Sequence, residues 1–208
     1  MFKHTFKLTV LALLLVPSLV QAKQTVSVDY MHGFDDIDGI RFAYRPIEHN
    51  LSTGWFGNIK LYWELSAYHW EYGEDNSHST SYALSITPIF MKQISTVYDY
   101  PLYVEAGIGA SFINDEKVAG KDIGSNYQFE DRLGLVLELD ESQHVALRYM
   151  HFSNGGFNSD NPGLDFMNLS YAYSYPIKPN TVYIYHHTLL LHYNICRFFS
   201  MTNTFVFM

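Results

Sequence analysis

From residue 24 onward the chain is written in twos. Apolar side chains alternate with small or polar ones in stretch after stretch, and two is the period at which a β-strand sends neighbours to opposite faces. Within 57–72, Ile59, Leu61, Trp63, Leu65 and Ala67 oppose Lys60, Tyr62, Glu64, Ser66 and Tyr68. Within 101–113, Leu102, Val104, Ala106, Ile108 and Ala110 oppose Tyr103, Glu105, Gly107, Gly109 and Ser111. Leu133, Leu135, Leu137 and Leu139 oppose Gly134, Val136 and Glu138. Eight such stretches are predicted, at 24–33, 39–48, 57–72, 79–92, 101–113, 126–140, 143–153 and 164–176, and helical periodicity is hard to find between them. The fold is all-β.

Two architectures hold strands of this kind. A soluble sandwich or lipocalin-like barrel would bury the aliphatic face. A transmembrane barrel would turn it to lipid and face the small and polar side chains inward. Strands of ten or more residues, an even count, inward glycines and tyrosines near strand ends favour the second. A closed barrel also pairs every backbone group without an open edge. The composition agrees, with 17 Tyr but only 16% charged residues. The expected fold is an eight-stranded antiparallel transmembrane β-barrel with a C-terminal extension.

Other classes fall away. A single cysteine, Cys196, excludes a disulfide scaffold and a cysteine-built zinc site. A net charge of −8 argues against a nucleic-acid partner. Residues 1–22 read as a secretory signal peptide: Lys3 and Lys7, an apolar run from Leu8 to Val20, then Val20-Gln21-Ala22. Export without a spanning helix points to the outer membrane of a Gram-negative bacterium. The barrel is assigned to 23–177 and a tail of unknown structure to 178–208. That tail is read as a helical or disordered periplasmic appendage, or as an altered reading frame, and carries no assigned function.

Barrels of this type begin and end in the periplasm. Connections at 34–38, 73–78, 114–125 and 154–163 are therefore expected outside, and those at 49–56, 93–100 and 141–142 in the periplasm. The outer loops 73–78 and 114–125 read as short and polar.

The stretch that carries chemistry is Tyr149-Met150-His151-Phe152-Ser153-Asn154-Gly155-Gly156, followed by Asn161-Pro162-Gly163-Leu164-Asp165. Val145, Leu147, Tyr149, His151 and Ser153 share one face, and His144, Ala146 and Arg148 the other. Arg148 and His144 belong in a polar lumen, so His151 and Ser153 face lipid. Asp165 shares its face with Met167, Leu169, Tyr171 and Tyr173, and so faces lipid on the next strand. A His, a Ser and an Asp on that surface are expensive unless paired. Serine needs a base to take its proton, and an imidazole needs a carboxylate to fix its tautomer and balance its cation. Positions i and i+2 of one strand place His151 and Ser153 close enough for a hydrogen bond. A glycine- and asparagine-rich turn can supply donors to an oxyanion.

These segments resemble the signature of the PagL family of lipid A 3-O-deacylases. Leu102-Tyr103-Val104-Glu105-Ala106-Gly107-Ile108-Gly109 and Phe129-Glu130-Asp131-Arg132-Leu133-Gly134 are similar to other family segments. The resemblance implies an eight-stranded outer-membrane barrel that removes an ester-linked acyl chain from lipid A, the 3-O position being the family's. It implies Ser153 as nucleophile, His151 as base and Asp165 as acid. The Asn161 side chain and the Gly156 N–H would be oxyanion donors, with Asn154 supporting. The best-known members carry Glu at the acid position. Asp is one methylene shorter, so its reach to His151 is the distance to measure.

No cofactor and no metal are expected for this chemistry. Asp35, Asp36 and Asp38 are read as a solvated acidic loop in preference to a divalent-cation site, and His186 and His187 lack a partner. Glu105, Glu138 and Arg148 are read as parts of an internal salt-bridge network, because eight strands leave no open channel. The expected partners are lipid A or lipopolysaccharide in the outer leaflet and the outer membrane itself. A homodimer is left open. The alternative function is a non-enzymatic structural or adhesive outer-membrane barrel.

Overall fold

The computed structural model describes residues 23–176 except 56, 74–78 and 159. The expected signal peptide, the tail, Cys196, His186 and His187 lie outside the described residues. Eleven strands follow one another: β1 Lys23–Gly33, β2 Ile37–Arg45, β3 Glu48–Thr53, β4 Gly57–Tyr72, β5 Ser79–Val97, β6 Tyr100–Ile113, β7 Lys117–Val118, β8 Lys121–Asp122, β9 Tyr127–Glu138, β10 Gln143–Ser153 and β11 Leu164–Pro176. Eight of them close a ring in the order β1, β2, β4, β5, β6, β9, β10, β11 and back to β1. This is the expected eight-stranded antiparallel barrel, and no described residue is helical.

The three extra strands correct the predicted boundaries. β3 pairs with β4 alone and continues the line of β2. Tyr44 pairs Leu65 and Glu48 pairs Tyr62, so Arg45, Pro46 and Ile47 oppose only Trp63 and Glu64. One extra residue against a partner strand is a bulge, and Pro46, with no N–H to give the ladder, sits in it. The expected connection 49–56 is therefore mostly strand. So is 93–100, because β5 runs to Val97 and only Tyr98 and Asp99 turn the chain. Their φ angles are 49° and 71°. Two left-handed residues are the two-residue hairpin turn that fits strand twist, and it is here built without the glycine that usually announces it. β7 and β8 form a small hairpin inside the 114–125 loop. Val118 and Ile123 of that loop are fully buried, so it is not simply polar.

The alternation placed the two faces correctly. Leu65, Leu84, Ile86, Ile108, Leu133, Leu135, Leu147 and Leu169 stand exposed on the outside. A band of that kind requires lipid. Inside, four carboxylates (Asp29, Glu64, Glu105, Glu130) and four guanidiniums (Arg41, Arg45, Arg132, Arg148) are buried together. Arg132 meets Glu64 and Glu130 at 2.7 Å each, Arg45 meets Glu64 at 2.7 Å, and Arg41 and Arg148 meet Asp29 at 2.8 and 3.0 Å. Arg148 also pairs with Glu105, and Arg41 with Glu64. Tyr62 and Tyr68 donate to Glu105 and Glu130 at 2.7 and 2.6 Å. The network expected from Glu105 and Arg148 thus fills the lumen with cancelling charge. Glu138 lies at its margin, 3.6 Å from Lys60. Gly134 makes room for it: a Cβ there would stand 2.9 Å from Cγ of Arg148, its direct cross-strand partner.

One end of the barrel is sealed differently, by an apolar cluster that includes Met31, Trp70, Ile113, Phe152 and Phe166. Trp70 stacks on Phe166 with centroids 5.1 Å apart, and Phe152 meets both rings edge-on. Val118 and Ile123 complete this cluster. Phe152 and Phe166 point inward from β10 and β11. Their outward neighbours, His151, Ser153 and Asp165, are thereby fixed on the other side of the same two strands.

Candidate active site

Strand register brings the carboxylate and the imidazole together. β10 and β11 pair antiparallel with His151 directly opposite Asp165. His151 Nδ1 stands 2.7 Å from Asp165 Oδ1. The aspartate, one methylene shorter than glutamate, therefore reaches the imidazole without help from the backbone. With Nδ1–H donated to Asp165, the imidazole keeps its lone pair at Nε2, the tautomer a general base requires. Tyr149, two residues before His151 on the same face, donates its hydroxyl to the same Oδ1 at 2.5 Å.

Ser153 is the last residue of β10, opposite Phe129 of β9, and only 9% exposed. The expected Ser153–His151 hydrogen bond is not formed in this structure. Alternate residues of a strand lie about 6.5–7 Å apart, so two rotamers must converge to close it. Catalytic hydrogen bonds are commonly loose before substrate arrives. Space for the imidazole comes from Gly163, in the left-handed region at φ 68°. A Cβ there would lie 2.5 Å from His151 Cε1.

The turn after Ser153 is organised by Asn154, which is 2% exposed. Its backbone N–H donates to Asn161 Oδ1 at 2.9 Å, and its Oδ1 accepts the Gly156 N–H at 2.9 Å. Its Nδ2 donates to the carbonyls of Asp160 and Ile123 at 2.6 and 3.1 Å. Asn154 thus ties the turn to the 114–125 loop. Gly156, at φ 77°, has its N–H occupied by Asn154 rather than presented to solvent. Asn161 is exposed, and its Oδ1 is the atom turned toward Asn154. Its Nδ2 has no partner among the described residues.

Three contacts were not read from the sequence. Tyr149 was legible by parity, since it shares the face of His151. Lys121 was not: it reaches across loops to Asp35 Oδ2 at 2.6 Å and to the Gly163 carbonyl at 3.3 Å. Nor was the Phe34 N–H, which donates to the backbone carbonyl of Asp165 at 3.2 Å. Of the three aspartates expected in an acidic loop, Asp38 lies on β2, where it accepts from Tyr30 and faces His32.

The family model described as Lipid A 3-O-deacylase (PagL) matches residues 38–174. Lipid A deacylase PagL of Bordetella bronchiseptica is 34% identical over 177 residues, 83% of this chain and 96% of that protein. The chain belongs to the PagL family. The Pseudomonas aeruginosa lipid A deacylase PagL is 32% identical over 115 residues, 55% of this chain and 65% of that protein. The crystal structure of the outer membrane enzyme PagL aligns with a TM-score of 0.57 at 24% identity, over 71% of this chain and 97% of that one, a likeness of fold. The model match spans every residue of the PagL-like signature read from 149–165.

Proposed function

We propose that the protein is an outer-membrane carboxylic ester hydrolase that removes the 3-O-linked acyl chain of lipid A, with Ser153 as nucleophile, His151 as base and Asp165 as acid. The observation that carries this reading is the His151–Asp165 pair, 2.7 Å apart on the lipid-facing side of β10 and β11, with Ser153 two residues along the same face. The substrate is a lipid, and its ester lies at the membrane surface. A site on the outside of the barrel meets it without extracting it from the leaflet.

Ser153 Oγ attacks the ester carbonyl carbon as its proton passes to His151 Nε2. Asp165 holds Nδ1 and balances the imidazolium that forms. Negative charge gathers on the former carbonyl oxygen, where the Asn161 amide supplies a donor. Gly156 would join it if its N–H were shared with Asn154. The intermediate collapses, the sugar hydroxyl leaves with the proton from Nε2, and an acyl-Ser153 ester remains. Water, deprotonated by His151, then releases the fatty acid and restores Ser153. The sequence needs no cofactor.

This reading sets the Ser153 end of the barrel at the outer leaflet and the turns at 54–55 and 98–99 at the periplasm. A homodimer is compatible with it if the contact leaves the β10–β11 face to lipid. The test is mass spectrometry of lipid A incubated with purified protein. Loss of one ester-linked acyl mass, absent with Ser153→Ala, supports the reading, and unchanged lipid A with the wild-type protein overturns it.

A further inference from the structure

Tyr149, His151 and Asp165 have a near duplicate. Tyr30-Met31-His32 on β1 repeats Tyr149-Met150-His151 on β10. His32 pairs directly with Asp38 of β2, as His151 pairs with Asp165 of β11. In each trio the tyrosine hydroxyl and the imidazole Nδ1 converge on one carboxylate oxygen, Oδ1: 2.7 and 2.8 Å at Asp38, 2.5 and 2.7 Å at Asp165. Both lie on the outer face at the same end of the barrel. Beyond the histidine the copies part: Phe152 and Ser153 follow in one, Gly33 and Phe34 in the other.

The trio around Asp165 faces a demand that its copy does not. Under the triad reading, on which this inference rests, Asp165 must face Nδ1 at the moment His151 becomes a cation. An aspartate side chain turns about two bonds, and this one stands on the surface at 26% exposure. Among the described residues, its carboxylate has two side-chain partners, His151 and Tyr149. The backbone contact from Phe34 fixes the main chain, not the carboxylate. Without the phenol, the imidazole would be the one side chain hydrogen-bonded to the acid among the described residues, with the Lys121 charge acting on it only at longer range. Among the described residues, the one hydrogen bond of the Tyr149 hydroxyl goes to Asp165. It acts through Asp165.

We propose that Tyr149 is a positioning residue for the reaction: its hydroxyl fixes the Asp165 carboxylate toward His151 Nδ1, and so lets an aspartate fill the acid position. Tyr30 makes the same bond to Asp38, with Phe34 at the position that Ser153 holds in the other copy, which supplies a control inside the same molecule.

The experiment measures fatty-acid release from purified lipid A in detergent by Tyr149→Phe, Tyr30→Phe, Asp165→Ala and the double variant Tyr149→Phe/Asp165→Ala. Folding is checked by the gel mobility shift of the unheated barrel. Tyr149→Phe should lower kcat about ten-fold, the effect of one hydrogen bond to a charged group, with KM within about two-fold. Tyr30→Phe should leave both unchanged. In the Asp165→Ala background the loss of the phenol should reduce kcat no further, because its partner is gone. Wild-type kcat in Tyr149→Phe overturns the proposal, and so does an equal loss in Tyr30→Phe or a further ten-fold loss in the double variant. Ser153→Ala, run alongside, separates the two levels. If it is fully active, the triad reading falls and this proposal with it. If it is inactive while Tyr149→Phe is normal, only the positioning role falls.

Discussion

Charge is handled in opposite ways inside this barrel and on its outer face. In the lumen most ions have several partners: Glu64 alone meets Arg41, Arg45 and Arg132. On the lipid side Asp165 has one imidazole and one phenol, on a face otherwise built of Leu147, Met167 and Leu169. The interior network is redundant and fully buried, so its charges cancel in place and hold the wall strands together. The outer pair is minimal and reachable from the membrane, which suits groups that must change protonation during a reaction. Damage inside should therefore show as lost stability, and damage outside as lost turnover in an intact barrel.

The sharpest way to break that contrast is at Ser153. Ser153→Ala removes no partner among the described residues, where the hydroxyl makes no hydrogen bond, so the barrel should retain its unfolding midpoint. Turnover on lipid A should fall about a thousand-fold or more, as when any triad nucleophile is removed. A variant that hydrolyses lipid A at the wild-type rate would show that the outer face is not the reactive one.

Asp165 tests the minimal character of the outer pair. Asp165→Ala should reduce kcat by two to four orders of magnitude, on the order of the loss when a triad's orienting carboxylate is disabled. Asp165→Glu should stay within about ten-fold of wild type, since the 2.7 Å contact shows that a longer side chain is not needed and its extra methylene must fold back. Steady-state kinetics on the two variants decides this. Full activity in the alanine variant would mean that another group orients His151.

Glu64 is the matching probe inside. Glu64→Gln leaves three guanidiniums facing a neutral amide, and breaking a buried ion cluster costs about 3–5 kcal/mol. Urea unfolding of the vesicle-inserted barrel should show that loss, while kcat of the folded fraction stays within about two-fold. A stable Glu64→Gln barrel with impaired turnover would reverse the assignment of roles to the two regions.

Much of this contrast was legible in the sequence, because a period of two is local. Parity along Val145–Ser153 and Asp165–Tyr173 placed His151, Ser153 and Asp165 on the lipid side and Arg148 in the lumen, and both placements hold. Properties that depend on pairing between strands were not legible. Nothing in the alternation says that residue 151 faces 165 rather than 163 or 167, or that Pro46 sits in a bulge. The 98–99 turn was read too long, as 93–100, because its left-handed residues are a tyrosine and an aspartate, not glycine or asparagine. Asn154 was read as an oxyanion helper, but its amide is used up binding the turn to Ile123 and Asp160. Loop-to-loop contacts of this kind follow from closure of the barrel, which brings 114–125 beside 154–163.

The smallest effect is expected where neither region reaches. A chain ending after Pro179 should insert into membranes and release fatty acid at the full rate. The argument is closure: β11 pairs with both β10 and β1, so each of the eight ring strands among the described residues already has two ring neighbours. The lumenal charges likewise precede the cut, since the four buried guanidiniums and four buried carboxylates among the described residues lie between Asp29 and Arg148. His151, Ser153, Asp165 and the turn that Asn154 organises also precede the cut. The barrel's own C-terminal end is kept, because Pro176 closes β11. Insertion is read from gel mobility of the unheated protein, and turnover from fatty-acid release in the same preparation. A truncated chain that fails to insert would show that residues beyond Pro179 are needed for assembly. One that inserts but does not turn over would extend the active machinery beyond the lipid-facing pair on β10 and β11.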